Sequence, residues 1–213
     1  LVIAANRDEF FDRATAPLDW WRTSTNTPWL LGGRDLAAGG TWMALSERGR
    51  IGMLTNVRDP SRQRADAPSR GALVTAWLQG SEPEAQGHNP FNLIGGDLHS
   101  GRWWWCSDRQ AATPLASGVH ALSNAALNEP WPKVRRLSAA LQAALSGDDA
   151  GLQARLFSLL AERVAAEAKR RNVQEVRGFH GEQTDISRLD ERFGGSGRFG
   201  PHAEEEVLTY ILS

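Results

Sequence analysis

Short apolar runs closed by turn signals fill the chain up to about residue 125, and after Pro132 the apolar positions recur at helical spacing. Leu1-Val2-Ile3-Ala4-Ala5 predicts an opening strand. Trp29-Leu30-Leu31 runs into Gly32-Gly33, which predicts a turn. Gly39-Gly40 leads into a strand over residues 41–45, Glu47-Arg48-Gly49-Arg50 predicts a hairpin loop, and residues 51–55 form the returning strand, with Asn56 just past its end. The polar stretch 58–68, bounded by prolines, predicts a loop. Ser69 suits the cap of a helix over residues 70–79, with Leu73, Val74, Trp77 and Leu78 on one face and Gly80 as its stop. Phe91 to Ile94 and Arg102 to Ser107 predict a hairpin turning around His99-Ser100-Gly101, and residues 119–123 predict one more strand.

Pro132 suits the first turn of a helix lined by Val134, Leu137, Leu141, Ala144 and Leu145 and ended by Gly147. Asp148 or Asp149 can start a second helix lined by Leu152, Leu156, Leu159, Leu160 and Val164, with Lys169-Arg170-Arg171 at its C-terminal end. Residues 172–205 are polar, glycine-rich and without period; residues 207–212 predict a final strand. Strands before helices favour α+β with an antiparallel sheet over a doubly wound parallel one.

Composition narrows the function classes. The chain has 213 residues and a net charge of -1, which advertises no basic face for nucleic acid. No apolar run approaches the roughly 18–20 residues of a membrane span, and Leu1 to Ala5 lacks the form of a signal peptide. The single cysteine, Cys106, excludes a disulfide within the chain and fits a reducing, cytoplasmic setting. Its aromatic strand makes it an inert core thiol. The five histidines are scattered without metal-ligand spacing, and Gly194 to Gly200 lacks the Lys-Ser/Thr of a phosphate loop. Nine tryptophans are many; in Trp103-Trp104-Trp105 alternation sends Trp104 to one face and its neighbours to the other. Such a cluster serves core packing or a flat apolar ligand.

The candidate chemistry lies at strand ends. Ala5-Asn6-Arg7-Asp8-Glu9, Leu54-Thr55-Asn56-Val57-Arg58 and Leu122-Ser123-Asn124 each finish an apolar segment with asparagine, and Gly33-Arg34-Asp35 adds an Arg-Asp pair. Asn amides can hold a developing oxyanion, Arg can clamp a carboxylate or lower a neighbour's pKa, and Asp can orient an amine. Arg7, Asp8, Asn56 and Asn124 are the candidate catalytic groups; Asn6, Glu9, Arg34, Asp35 and Arg58 are the candidate ligand contacts. No nucleophile accompanies them, since no Ser sits in a G-x-S-x-G elbow.

Asn6-Arg7-Asp8-Glu9-Phe10, with Arg13, Ala16 and Pro17 behind it, resembles the signature of the NRDE family, which includes the transport and Golgi organisation protein 2. The resemblance runs on through Gly32 to Leu36, Gly39-Gly40-Thr41-Trp42, Leu54 to Arg58, Ser69-Arg70-Gly71, Phe91 to Ile94, Leu122-Ser123-Asn124 and Pro130 to Val134. It implies one domain over residues 1–213, built as an αββα sandwich like that of N-terminal nucleophile (Ntn) hydrolases. In related Ntn acylases an N-terminal Cys attacks an amide; by position Arg7 with Asp8 or Glu9 resembles its supporting pair, and Asn56 and Asn124 resemble the oxyanion and orienting amides. Family members open with Met-Cys and a short strand, whereas this sequence starts at the NRDE strand, so Ntn chemistry would need a Cys from outside it. The family is also linked to haem mobilisation and lipid or acyl-CoA homeostasis. That implies a rival role as a binder of haem or an acyl ligand.

Overall fold

The computed structural model describes residues 1–5, 12–146, 151–160, 175–177, 183–185 and 210–212. The strands in chain order are β1 (Ile3–Ala4), β2 (Thr15–Trp21), β3 (Leu30–Asp35), β4 (Met43–Ser46), β5 (Arg50–Asn56), β6 (Phe91–Asp97), β7 (Arg102–Ser107), β8 (Thr113–Pro114), β9 (His120–Leu122), β10 (Glu175–Arg177), β11 (Gln183–Asp185) and β12 (Tyr210–Leu212). The α-helices are α1 (Gly71–Gln79), α2 (Pro132–Leu145) and α3 (Leu152–Leu160). Contacts group them into two compact units, residues 12–117 with 125–127, and residues 1–11, 118–124 and 128–213.

The first unit is a seven-stranded antiparallel sheet in the order β2-β3-β4-β5-β6-β7-β8. Residues opposite one another across antiparallel strands share a face, and neighbours along a strand alternate. The register therefore sorts the sheet into two faces. One carries Trp21, Leu30, Ala44, Leu54, Phe91, Leu93, Trp104 and Cys106, and these pack with Leu73, Val74, Trp77 and Leu78 of α1 into one core. Burying each large α1 side chain contributes about 1.5–3 kcal/mol. Trp77 locks the helix in place: its ring meets Trp104 edge-on at 4.9 Å, its Nε1–H donates to the Ile51 carbonyl at 2.8 Å, and the Arg50 guanidinium lies 4.3 Å above it.

The other face carries a single row that crosses six strands: Trp20, Leu31, Leu45, Ile51, Gly96 and Trp103. Its neighbouring row is Met43, Met53, Ile94 and Trp105. Met53 and Ile94 are buried, whereas Leu31, Leu45, Ile51 and Trp103 are half-buried and Trp20 is exposed. Gly95 and Gly96 make room for the tryptophans: a Cβ on either would come within 2.4 Å of the ring paired with it, Trp104 or Trp103.

In the second unit β9, β12 and β1 form an antiparallel sheet, and β10 pairs with β11. Leu137 and Leu141 of α2 pack with Leu156 and Leu159 of α3 and with Val119. Asn128, at a left-handed φ of 58°, accepts from the Ala121 N–H through its side chain and donates its own N–H to the Ala121 carbonyl, closing the turn after β9. Asn tolerates this conformation better than other non-glycine residues.

The α+β expectation holds as an antiparallel sheet of seven strands with three helices among the described residues. Two local expectations need correction, and one strand lies where the pattern predicts none. Gly32-Gly33 is not a turn but lies within β3, where a Cβ would strike Ala44 from Gly32 and the Trp42 ring from Gly33. These glycines permit close packing rather than a reversal. β2 escaped the pattern because Pro17, a bulge between Ala16 and Asp19, and four exposed residues hide its alternation. Ser69 does not cap α1; the helix starts at Gly71 with no side-chain cap, and its other end is the left-handed Gly80. α2 and its Pro132 start agree with the periodicity, while Gly147, Asp148, Asp149, Val164, Lys169 to Arg171 and the 194–200 glycine run lie outside the described residues. Within 172–205 the described part is the β10–β11 hairpin.

Candidate functional site

Asn56 is the last residue of β5, opposite Phe91, and Arg58 follows in the loop; both engage partners. The loop they open is tied down by ions and amides. Asp59 caps the 3-10 turn Pro60–Arg62 by accepting from the Ser61 N–H. Arg62 then bridges two carboxylates, donating through Nε to Asp59 at 2.5 Å and through a terminal nitrogen to Asp108, just beyond β7. Arg62 with the Ser61 hydroxyl holds the Asp59 carboxyl down at about 2. Hydrogen bonding to Asp59, then to Asp108, raises the Arg62 pKa in turn. Further along, the Asn89 side chain accepts from the Arg64 N–H at 2.8 Å and donates to its carbonyl at 2.9 Å. Arg70 donates to the Pro90 carbonyl at 3.0 Å.

Arg34 and Asp35 are sequence neighbours that do not pair with each other. Both lie inside β3, so alternation sends them to opposite faces. Asp35 pairs with Arg13 at 2.6 Å and accepts from the Ala37 and Ala38 N–H groups. Burial pushes its pKa up, but the Arg13 hydrogen bond and the two backbone donors outweigh this and leave it lowered. Arg34 stacks 5.1 Å from the Trp21 ring centroid, with its Nε buried and without a hydrogen-bond partner. Asn124 follows β9 in the second unit and is also engaged. Asn6, Arg7, Asp8 and Glu9 lie outside the described residues.

Sequence reasoning missed Asn92. It is 1% exposed, the second residue of β6, and both its amide nitrogen and its oxygen are engaged. It donates to Thr55 Oγ1 at 3.3 Å and to the Ala125 carbonyl at 2.8 Å, and accepts from Trp105 Nε1 at 3.1 Å. A lone amide between Phe91 and Leu93-Ile94 was the available signal, because a polar group inside an apolar run must be paired. Asn92 ties Ala125 to the sheet, and its burial and bonds give it a structural role. Cys106 is 3% exposed, and burial pushes its thiol up to about 12, so it stays protonated at neutral pH. It cannot supply the missing nucleophile. Among the described residues no helix is long and apolar enough to cross a membrane.

Residues 1–189 match the family described as Transport and Golgi organisation 2. Over 152 residues the chain is 37% identical to the Transport and Golgi organization 2 homolog of Mus musculus and 34% identical to the homolog of Homo sapiens, covering 63% of this chain and 54% of each relative. The Drosophila melanogaster Transport and Golgi organization protein 2 is 36% identical over 90 residues, 39% of this chain and 30% of that protein. The chain thus spans about half the length of the mammalian relatives it matches. With its family match running from β1 through α3 and the β10–β11 hairpin, the chain belongs to the Transport and Golgi organisation 2 family.

Proposed function

We propose that the protein binds haem or an acyl-type lipid ligand and acts in its trafficking or homeostasis in the cytoplasm. One observation carries this reading: the half-open row of Trp20, Leu31, Leu45, Ile51 and Trp103 on the sheet face away from α1. A flat or extended apolar ligand matches such a strip, and aromatic side chains give it large contact area at low entropic cost. The Trp103 ring lies over Gly96, where a Cβ would strike it. Haem and acyl ligands also carry anionic groups, which a cation matches; of the expected contacts Arg58 is the proposed one, whereas Arg34 lies on the α1 face against Trp21 and Asp35 is held by Arg13. The αββα sandwich also belongs to this proposal, and α1 as a layer on one face of the sheet supports it.

The test is an equilibrium titration with haem and, separately, with a fluorescent long-chain acyl probe. Saturable binding of either, with quenching of Trp fluorescence and at least a tenfold loss in Trp103→Ala, supports the reading. Absence of saturation for both ligands removes it. The alternative is an Ntn-type amidohydrolase in which a Cys outside the given sequence is the nucleophile, Arg7 and Asp8 support it, and Asn56 and Asn124 hold the oxyanion. Its support is the family resemblance and the placing of Asn56 at a strand end. Turnover of an acyl-amide panel by a chain carrying the upstream Cys, abolished in Asn56→Ala, would favour it over the binder.

A further inference from the structure

We infer that the open edge of β2 pairs with the β2 edge of a second copy of this chain, with Trp20 on the two-fold axis. The two edges of the seven-stranded sheet differ. β8 is only Thr113–Pro114, and its proline removes a donor. β2 has seven residues and, among the described residues, pairs with β3 alone. Its side chains are exposed from Leu18 through Trp20, with Leu18 72% and Trp20 48% accessible.

The hydrogen-bond phase shows which β2 groups are unpaired. Glu47 N–H donates to the Trp29 carbonyl, so Trp29 faces β4 with its main chain and Leu30, the next residue, faces β2. Leu30 pairs with Trp21, which turns the N–H and C=O of Trp20 outward. The Trp20 N–H is in fact met by the carboxylate of Asp19 at 2.7 Å, a local cover that a partner strand can displace. Pro17 and the bulge between Ala16 and Asp19 keep an added strand to the residues after Pro17, from Leu18 to the end of β2 at Trp21 and Arg22 just past it. That window is symmetric about Trp20. An antiparallel copy then sets Trp20 against Trp20 and Leu18 against Arg22, using every outward main-chain group of the window.

Two further features favour a second copy over an unrelated strand. A two-fold axis normal to the sheet keeps each face continuous, so the apolar row ending at Trp20 runs on into the Trp20 and Leu31 of the other copy. The window also holds one acid, Asp19, and one base, Arg22, and is neutral. It therefore lacks the like charges that block edge pairing.

The test combines mass and register. Sedimentation of the full chain from about 1 to about 200 μM should show a concentration-dependent species of twice the 23.3 kDa chain mass. Trp20→Lys, which sets two ammonium groups face to face, should leave the monomer with unchanged far-UV circular dichroism. Leu18→Cys and Arg22→Cys, which both retain Trp20, should form a disulfide when mixed and not when oxidised separately. A hydrogen-bonded antiparallel pair sets Cα atoms about 5.5 Å apart, within the disulfide range. A monomer throughout the range, a dimer that survives Trp20→Lys, or cross-linking of the single variants as readily as the mixture would each overturn the inference.

Discussion

The two faces of the seven-stranded sheet are built from the same strands and meet different fates. The α1 face is closed: Leu30, Leu54, Phe91 and Leu93 are buried against Leu73, Val74, Trp77 and Leu78. The opposite face is buried at Met53, Ile94 and Asn92 and half-open along the row from Trp20 to Trp103. Closed packing gives stability. An aromatic row left half-open adds less, since only the area removed from water counts, and is better matched to recognition. Substitutions on the two faces should therefore separate folding from binding.

The largest effect is expected on the closed face. Trp77→Ala removes a buried ring together with its edge contact to Trp104 and its bond to Ile51, and should cost about 4 kcal/mol in urea unfolding. A loss under about 1 kcal/mol would mean that α1 is not what closes this face. Next comes the buried amide. Asn92→Leu strands Thr55, Trp105 and the Ala125 carbonyl, and should cost about 3 kcal/mol while exposing residues 125–127 to hydrogen exchange. On the half-open face, Trp103→Ala should cost less than about 2 kcal/mol in stability. A stability loss equal to that of Trp77→Ala would erase the distinction between the faces.

The smallest effect belongs to the loop after Asn56. The Asp59 carboxyl sits at about 2 in the folded protein, below the roughly 3.9 of an unfolded chain. Its contribution is therefore present in full above about pH 4 and is lost as pH falls toward 2. Protease sensitivity of residues 57–68 should rise across that window in the wild type and already be high at pH 7 in Arg62→Ala. Identical digestion of the two proteins at pH 7 would contradict the clamp.

How much of this was legible in the sequence follows the same division. The β6–β7 hairpin, the α1 face with its Gly80 stop and the Pro132 start of α2 were readable because period and punctuation agree there. β2 was not, since a bulge breaks the alternation on which strand recognition depends. Gly32-Gly33 misled because a glycine needed for close packing looks the same in sequence as one needed for a turn. At the candidate site, the strand-end position of Asn56 was legible, but the partners were not. Asp35 pairs with Arg13 twenty-two positions away instead of its neighbour Arg34, and Arg62 finds Asp108 across forty-six. Such pairings are set by register and loop closure, which local pattern does not encode.

The most direct test of the two-face account is a two-dimensional 15N–1H spectrum of the tryptophan indoles, assigned by single substitutions and recorded with and without haem. The paramagnetic iron should broaden the Nε1–H signals of Trp20, Trp103 and Trp105 and leave those of Trp21, Trp77 and Trp104 sharp. Broadening of the Trp77 and Trp104 signals with Trp20 and Trp103 unaffected would contradict it.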